Sequence, residues 1–309
     1  MMFPRRWVAP LAMITAALVA VACVAASIVI VRNLHADEAR PTRADQARRI
    51  SAAPAPTHSA ATPSTTQPVH PLAGLKILLD PGHSGALVNA TRQVSDGRGR
   101  FKDCNNSGTA TVDGFPEHEF NWQVATRLKA LLEAEGAVVT LTRSDDTSMG
   151  PCVDQRGQMS AGQDVALSIH ANGTPDTRVK GYFALISSPP LNDAQGQPSV
   201  DLAHALLTAL GNAGFSQSPA SDNGITPRSD IAGLNFAQAP SVLMELGEMR
   251  NPEEAAIMKT PEGQDRYAHA LFDGLSAWAQ TRAQAQAPAQ AQATPTASIS
   301  HGPAPSPTR

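Results

Sequence analysis

Short apolar runs alternate with longer amphipathic segments through the middle of the chain. Lys76–Asp80 is mostly apolar and stops at Pro81-Gly82, a pattern typical of a buried strand followed by a turn. Glu117–Glu135 carries apolar side chains at helical spacing, and Gly136 favours a helix end there. The same patterns predict strands at 137–142, 164–169, 181–187 and 241–245, and helices at 155–161, 200–213 and 262–279.

Alternating strands and helices predict an α/β fold, here a single three-layer domain with a mostly parallel, twisted sheet between helices. Asn251-Pro-Glu-Glu254 adds an expected helix start, with an N-capping side chain, proline at the first position and glutamate at the third. The segments 85–116 and 188–199 are irregular and long enough to be functional loops.

The N-terminal region contains a long uncharged segment. Trp7–Val31 comprises 25 residues without a charge, with Arg5 and Arg6 before it and Arg32 after it. About 20 apolar residues span a bilayer, and a positive flank favours the cytoplasmic side. We therefore expect residues 1–36 to form a transmembrane signal anchor, with everything after it outside the cytoplasm. The alternative is a cleaved signal peptide, which would leave the protein secreted.

Two segments contain almost none of the large apolar side chains that a core requires. Residues 37–71 are rich in Ala, Pro, Thr, Ser and Arg, and residues 280–309 consist of Ala-Gln repeats followed by a Pro-, Ser- and Thr-rich end. Such compositions bury too little surface to fold, so we expect a disordered linker and a disordered tail. The folded domain is therefore predicted to span residues 72–279.

Charge and cysteine content exclude several classes of protein. The 24 Lys and Arg against 27 Asp and Glu give a net charge of −3, with no block of like charge. A protein that binds nucleic acid through a broad basic face is therefore not expected. Three cysteines are too few for a disulfide scaffold or a four-cysteine zinc site.

Three polar side chains come directly after predicted strands. His83 follows the first strand and its turn, His170 ends the third strand, and Glu245 ends the last. Ligands of open α/β sheets bind just beyond the carboxyl ends of the strands, so we expect these side chains to lie close together. Two histidines and a carboxylate, with a fourth position open to water, are typical ligands of a catalytic zinc ion.

A zinc hydrolase also needs a carboxylate that accepts and returns a proton, so the sequence must supply two glutamates. Glu245 is one of them. Glu117 and Glu119 both lie in the first turn of the predicted helix, and either could be the other. The helix dipole alone also favours a carboxylate at that position, so the residue pattern leaves the choice open.

Taken together, these motifs resemble the zinc-dependent N-acetylmuramoyl-L-alanine amidases of type 3, most strongly the actinobacterial and mycobacterial cell-wall enzymes. The resemblance covers residues 75–278, with the motifs in the family order. The motifs that carry it are Asp80-Pro-Gly-His83, Glu117 with Asn121, Ser168-Ile-His-Ala-Asn172, and Glu245-Leu-Gly with Asn251-Pro-Glu.

The resemblance implies that His83, Glu117 and His170 bind one zinc ion and that Glu245 is the catalytic carboxylate. The family's ligand glutamate lies four residues before the helix asparagine, which selects Glu117 over Glu119. It also implies a disulfide, because the actinobacterial members have a cysteine pair that corresponds to Cys104 and Cys152.

Two positions depart from the family pattern. Ser84 stands where Gly-His-Gly-Gly is common, and Glu248 stands where an aromatic residue is common. Neither departure removes an expected ligand or the expected base, although Glu248 bears on the packing and pKa of Glu245.

The implied function is a peptidoglycan hydrolase that cleaves the amide between N-acetylmuramic acid and L-alanine of the stem peptide. A zinc-bound water would be the nucleophile, with Glu245 as general base and acid. The expected partners are peptidoglycan and, through the N-terminal segment, the membrane; the catalytic domain is expected to be a monomer. The alternatives are a non-catalytic peptidoglycan-binding protein or hydrolase activator on the same fold, and a zinc peptidase or deacetylase of the cell wall.

Overall fold

A computed structural model describes residues 70–292. The predicted N-terminal segment at 1–36, the linker as far as residue 69 and the tail from residue 293 lie outside this range. Within the described range, no helix combines the length and apolar character that crossing a bilayer requires.

Six strands form the main sheet, in the spatial order β4 (Val138–Leu141), β1 (Lys76–Pro81), β5 (Val165–Asn172), β8 (Ser241–Glu248), β6 (Phe183–Ser187) and β7 (Ile225–Arg228). The four strands from β4 to β8 run parallel to one another, while β6 is antiparallel to β8 and parallel to β7. The prediction of a mostly parallel sheet is therefore confirmed.

Long helices cover one face of this sheet and bury the main apolar core. Phe120 of the first helix and Tyr267 of the last are fully buried against Ile77, Leu167 and other side chains of the sheet. The helices in the described chain are α1 (Glu117–Ala134), α2 (Val153–Gln158), α3 (Gln197–Asn212), α4 (Ala232–Asn235), α5 (Pro252–Met258) and α6 (Pro261–Gln292).

The opposite face of the sheet is more polar and is covered by shorter elements. Side chains alternate between the two faces of a strand, so the neighbours of the core residues point the other way. Short elements, including α2 and α4, lie over this second face and leave a cavity of about 260 Å³. The strand residues that line it include Leu78, Asp80, Ala166, Ser168, His170, Leu185, Ser241, Leu243 and Glu245.

The segment 85–116, which the sequence predicts to be an irregular loop, contains a small hairpin. Its strands are β2 (Gln93–Ser95) and β3 (Phe101–Asp103), which pair antiparallel. The Asp96 carboxylate accepts hydrogen bonds from the backbone N–H groups of Arg98 and Arg100 at 2.8 and 3.0 Å and fixes the turn. Three-residue strands are too short for periodicity to reveal them.

Helix α6 continues beyond the predicted end of the domain. The sequence predicts a helix to about Ala279 and no structure from residue 280, but the helix runs to Gln292. Alanine and glutamine are good helix formers, so the Ala-Gln repeats extend a helix whose first half is already held by the core. The predicted N-cap of α5 is present, since the Asn251 side chain accepts from the N–H groups of Glu253 and Glu254.

The two tyrosines of the chain offer a matched test of core packing. Both are buried, and Tyr182 donates its hydroxyl to the Leu207 carbonyl at 3.1 Å, whereas the Tyr267 hydroxyl has no hydrogen-bond partner within residues 70–292. An unpaired buried polar group costs about 1–3 kcal/mol, and a typical hydrogen bond contributes about 1 kcal/mol. Tyr267→Phe should therefore raise the free energy of unfolding by about 1 kcal/mol, and Tyr182→Phe should lower it by a similar amount. Denaturant titrations that show an equal loss for both variants would contradict this.

Candidate metal centre and active site

Two histidines and one glutamate converge at the carboxyl edge of the sheet. His83 Nε2 lies 3.1 Å from Glu117 Oε1, and His170 Nδ1 lies 2.9 Å from the same oxygen. One ligand atom from each of the three side chains lies within 4.8 Å of the others. The structure therefore brings together the three residues that the sequence predicts as metal ligands.

The His83 backbone is held in an unusual conformation. Its φ of 62° lies in the left-handed region. This conformation costs a residue other than glycine about 1–3 kcal/mol and persists only where the surrounding structure holds it in place. The Arg156 guanidinium donates to the His83 carbonyl at 2.8 Å and to the Pro81 carbonyl at 3.0 Å. His83 Nδ1 donates to the Asn106 carbonyl at 3.0 Å, which leaves Nε2 directed at Glu117.

Glu117 is the first residue of α1 and is almost fully buried. Its Oε2 accepts the backbone N–H of Thr109 at 2.9 Å, and its Oε1 accepts the Asn121 side-chain amide at 3.3 Å. A Cβ added at Gly108 would overlap Glu117 Oε2, so the chain can pass this close only as glycine. Glu119, the alternative candidate, is not part of the cluster.

Glu245 lies beside His170 on the neighbouring strand. The two residues are in register on β8 and β5, so their side chains share one face of the sheet, and both line the cavity. Glu245 Oε2 is buried and has no hydrogen-bond partner among the described residues. A buried carboxylate without a partner is costly, and such groups are concentrated at functional sites.

The two carboxylates of the site have opposite pKa shifts. Burial raises the pKa of Glu117, but hydrogen bonds from His170 and His83, together with their charges, lower it below its usual range. Burial raises the pKa of Glu245 well above its usual range, and the charges of Glu117 and Glu248 raise it further. Carboxylates whose environments separate their pKa values in this way can take different chemical roles.

The three side chains fit a zinc ion. In a tetrahedral site with bonds of about 2.0–2.1 Å, neighbouring ligand atoms are about 3.3 Å apart. The two nitrogen–oxygen separations of 3.1 and 2.9 Å come within a few tenths of an ångström of this value. Two imidazoles and one carboxylate also form a donor set that catalytic zinc uses. The Asn106 carbonyl orients the His83 ring in the way that outer-shell partners orient metal-binding histidines.

Comparison with known proteins identifies the family of this chain. The family model for N-acetylmuramoyl-L-alanine amidases matches residues 77–277. The chain belongs to the N-acetylmuramoyl-L-alanine amidase family. The amidase Rv3717 of Mycobacterium tuberculosis is 40% identical over 238 residues, which cover 76% of this chain and 96% of the relative.

Two crystal structures show the same fold. The amidase Ami1 of Mycobacterium smegmatis matches with a TM-score of 0.66 and 45% identity, over 68% of this chain and 99% of that one. Ami1 of Mycobacterium abscessus matches with a TM-score of 0.65 and 41% identity, over 67% of this chain and 99% of that one. As a member of this family, the chain is therefore an enzyme that hydrolyses an amide bond of the cell wall.

An ion pair between Asp80 and Arg156 supports the turn that carries His83 in this amidase. The Asp80 carboxylate accepts a hydrogen bond from the Arg156 guanidinium at 2.7 Å. It also accepts hydrogen bonds from the hydroxyls of Thr142 and Ser168, at 2.6 and 2.7 Å. Burial raises the pKa of Asp80, but the Arg156 charge and these hydroxyls outweigh it and lower the pKa to about 2. Sequence analysis did not identify Arg156, because no local pattern distinguishes a buried arginine of a short helix from an exposed one.

The two positions that depart from the family pattern are both buried in this amidase. Glu248 accepts hydrogen bonds from the Asn172 side-chain amide at 2.7 Å and from the Thr174 N–H at 2.9 Å, so it holds the loop that follows the His170 strand.

Cys104 and Cys152, the predicted cysteine pair, form a disulfide between residues that are 48 positions apart in sequence.

Replacing each candidate glutamate separately tests the assignment of the metal ligand. Glu117→Ala should weaken zinc binding by more than about 100-fold, since the loss of an outer-shell partner alone costs 10–100-fold. Glu119→Ala is the matched control two residues away and should retain about one zinc per chain. Metal analysis after dialysis, together with chelator competition, measures both. Zinc loss from Glu119→Ala with retention in Glu117→Ala would overturn the assignment.

Proposed function

We propose that this amidase hydrolyses the bond between the lactyl group of N-acetylmuramic acid and L-alanine of the peptidoglycan stem peptide. His83, Glu117 and His170 would hold one zinc ion, and Glu245 would be the general base and acid. The observation that carries the proposal is the cluster of His83, Glu117 and His170. Its two histidines line the same cleft as Glu245, whose Oε2 has no hydrogen-bond partner among the described residues.

Zinc, when bound, supplies a Lewis acid that polarises a carbonyl and lowers the pKa of water. The chain supplies the remaining functions. Glu245 lies on the same face of the sheet as His170, where it can take a proton from an attacking water and return it to the leaving amine. Burial and the neighbouring charges of Glu117 and Glu248 raise the pKa of Glu245, which makes its carboxylate a stronger base.

The alternative functions differ in what they require of these residues. A non-catalytic peptidoglycan-binding protein or hydrolase activator has no need of a buried, unpartnered carboxylate beside a metal cluster, and such a group is costly to retain. A zinc peptidase or deacetylase of the cell wall would use the same side chains on a different bond. The close amidase relatives favour the amide of the lactyl group.

The location and the partners follow from the same proposal. The segment 1–36 would anchor the chain in the membrane, with the catalytic domain outside the cytoplasm, or would be removed from a secreted form. Residues 37–71, if they form the linker that their composition predicts, would have a root-mean-square span of roughly 30 Å and would carry the domain away from the membrane toward peptidoglycan. The catalytic domain would act as a monomer.

Glu245→Gln tests the mechanism apart from metal binding. The amide keeps the size of the side chain but cannot accept a proton, so turnover of peptidoglycan should fall about 10²–10⁴-fold, while zinc content stays near one per chain. Glu253→Gln makes the same change at an exposed position and should leave turnover unchanged.

Turnover and zinc stoichiometry are measured on the same preparations of both variants. Turnover of Glu245→Gln close to that of the unaltered protein, with zinc bound, would show that Glu245 is not the base.

A further inference from the structure

The Ser84 side chain, one of the two departures from the family pattern, is a meeting point of hydrogen bonds. Only 1% of Ser84 is exposed. Its hydroxyl donates to the His83 carbonyl at 2.7 Å and accepts the Asn105 side-chain amide and the Gly150 N–H, both at 3.0 Å. The Arg156 guanidinium also reaches this hydroxyl, at 3.2 Å. A single buried oxygen therefore connects three segments: the turn that carries His83, the stretch around Asn105 and the stretch from Gly150 to Arg156.

Two of these segments are joined by the disulfide. Asn105 directly follows Cys104, and Gly150 lies two residues before Cys152. The disulfide and the Ser84 hydroxyl thus connect the same two stretches of chain, one covalently and one through hydrogen bonds. The Cys104 carbonyl also accepts the Val153 N–H at 2.9 Å, which adds a backbone link between them.

Asn106, the residue after Asn105, contacts the candidate metal cluster through His83. The Asn106 carbonyl accepts a hydrogen bond from His83 Nδ1 and so determines which ring nitrogen faces Glu117. The Asn105 side chain accepts the Asn106 N–H at 2.9 Å, so the amide that contacts Ser84 also orients the peptide unit before Asn106. Ser84 is therefore linked to both the backbone and the ring of His83.

The Ser84 hydroxyl is packed closely against the Gly150 backbone. A Cβ added at Gly150 would lie 2.8 Å from Ser84 Oγ and 3.0 Å from the Arg156 guanidinium. The Gly150 backbone therefore packs directly on the hydroxyl. A glycine or alanine at position 84 would leave the Asn105 amide and the Gly150 N–H without this acceptor, and buried donors without a partner favour a rearranged loop.

We propose that Ser84 is a positioning residue that couples the Cys104–Cys152 disulfide to the metal ligand His83. The disulfide holds the Asn105–Asn106 and Gly150 segments in place, and the Ser84 hydroxyl transmits that constraint to the His83 backbone and ring. The coupling sets how firmly zinc is held. This inference rests on the proposed zinc site, because it concerns the affinity of that site.

The test is a double-mutant cycle on zinc affinity, measured by chelator competition on the full-length protein with zinc alone as the probe. Ser84→Ala should raise the Kd for zinc about 10-fold, the lower end of the usual effect of losing an outer-shell partner. The pair Cys104→Ser and Cys152→Ser should raise it by a similar factor. The combined variant should be weaker by much less than the product of the two factors, because coupled sites are not additive.

Ser199→Ala is the matched control. Ser199 is equally buried and also links two segments, since its hydroxyl donates to the Ala194 carbonyl and accepts the Ser241 N–H. Among the described residues its hydroxyl has no hydrogen bond to His83, Asn105, Asn106 or Arg156, so its removal should lower the melting temperature and leave the Kd for zinc unchanged. An effect of Ser84→Ala on melting temperature alone, with the Kd for zinc unchanged, would reduce Ser84 to a structural residue and overturn the proposal.

The outcomes separate this inference from the function on which it rests. If the unaltered protein binds no zinc, the proposed metal centre fails, and the coupling fails with it. If the unaltered protein binds zinc and Ser84→Ala binds it equally well, only the coupling fails. Multiplicative effects of Ser84→Ala and the cysteine changes would show that the two act independently and would also overturn the coupling.

Discussion

The site depends on one buried carboxylate held between two imidazoles. Glu117 loses its hydration on burial, a penalty that must be offset by hydrogen bonds and opposite charge. The compensation comes from His83 after β1, His170 on β5 and the Thr109 N–H in the loop before α1. The interaction that assembles the metal ligands therefore also fixes two strands and a helix relative to one another. The ligand cluster is therefore both a chemical site and a stabilising contact between these elements.

The two faces of the sheet serve different purposes. Long helices pack on one face and bury a continuous apolar core, which makes the sheet a rigid support. The other face carries Asp80, Ser168, His170 and Glu245 under short elements, which leaves room for a cleft. Functional side chains on a rigid scaffold can be held within the small tolerances that catalysis requires. Because side chains alternate along each strand, the same strands provide both the core face and the cleft face.

Patterns in the sequence predict the elements that are long and periodic. The strands around Leu79 and Leu167 and the helix that begins at Glu117 follow from hydrophobic spacing, and the candidate ligands follow from residue types at strand ends. Hairpin β2–β3, strand β7 and helix α4 have three or four residues each, which is too short for a periodic signal. The roles of Ser84 and Arg156 depend on contacts with residues far away in sequence, and only the folded chain shows those contacts.

The central claim is that this cleft cleaves one particular bond. The most direct measurement is digestion of purified peptidoglycan by the full-length, zinc-loaded protein, with the new chain ends identified by mass spectrometry. The account predicts stem peptides with a free L-alanine amino group and glycan chains with free lactyl carboxylates. New ends within the stem peptide, deacetylated sugars with intact stems, or no new ends would each contradict it.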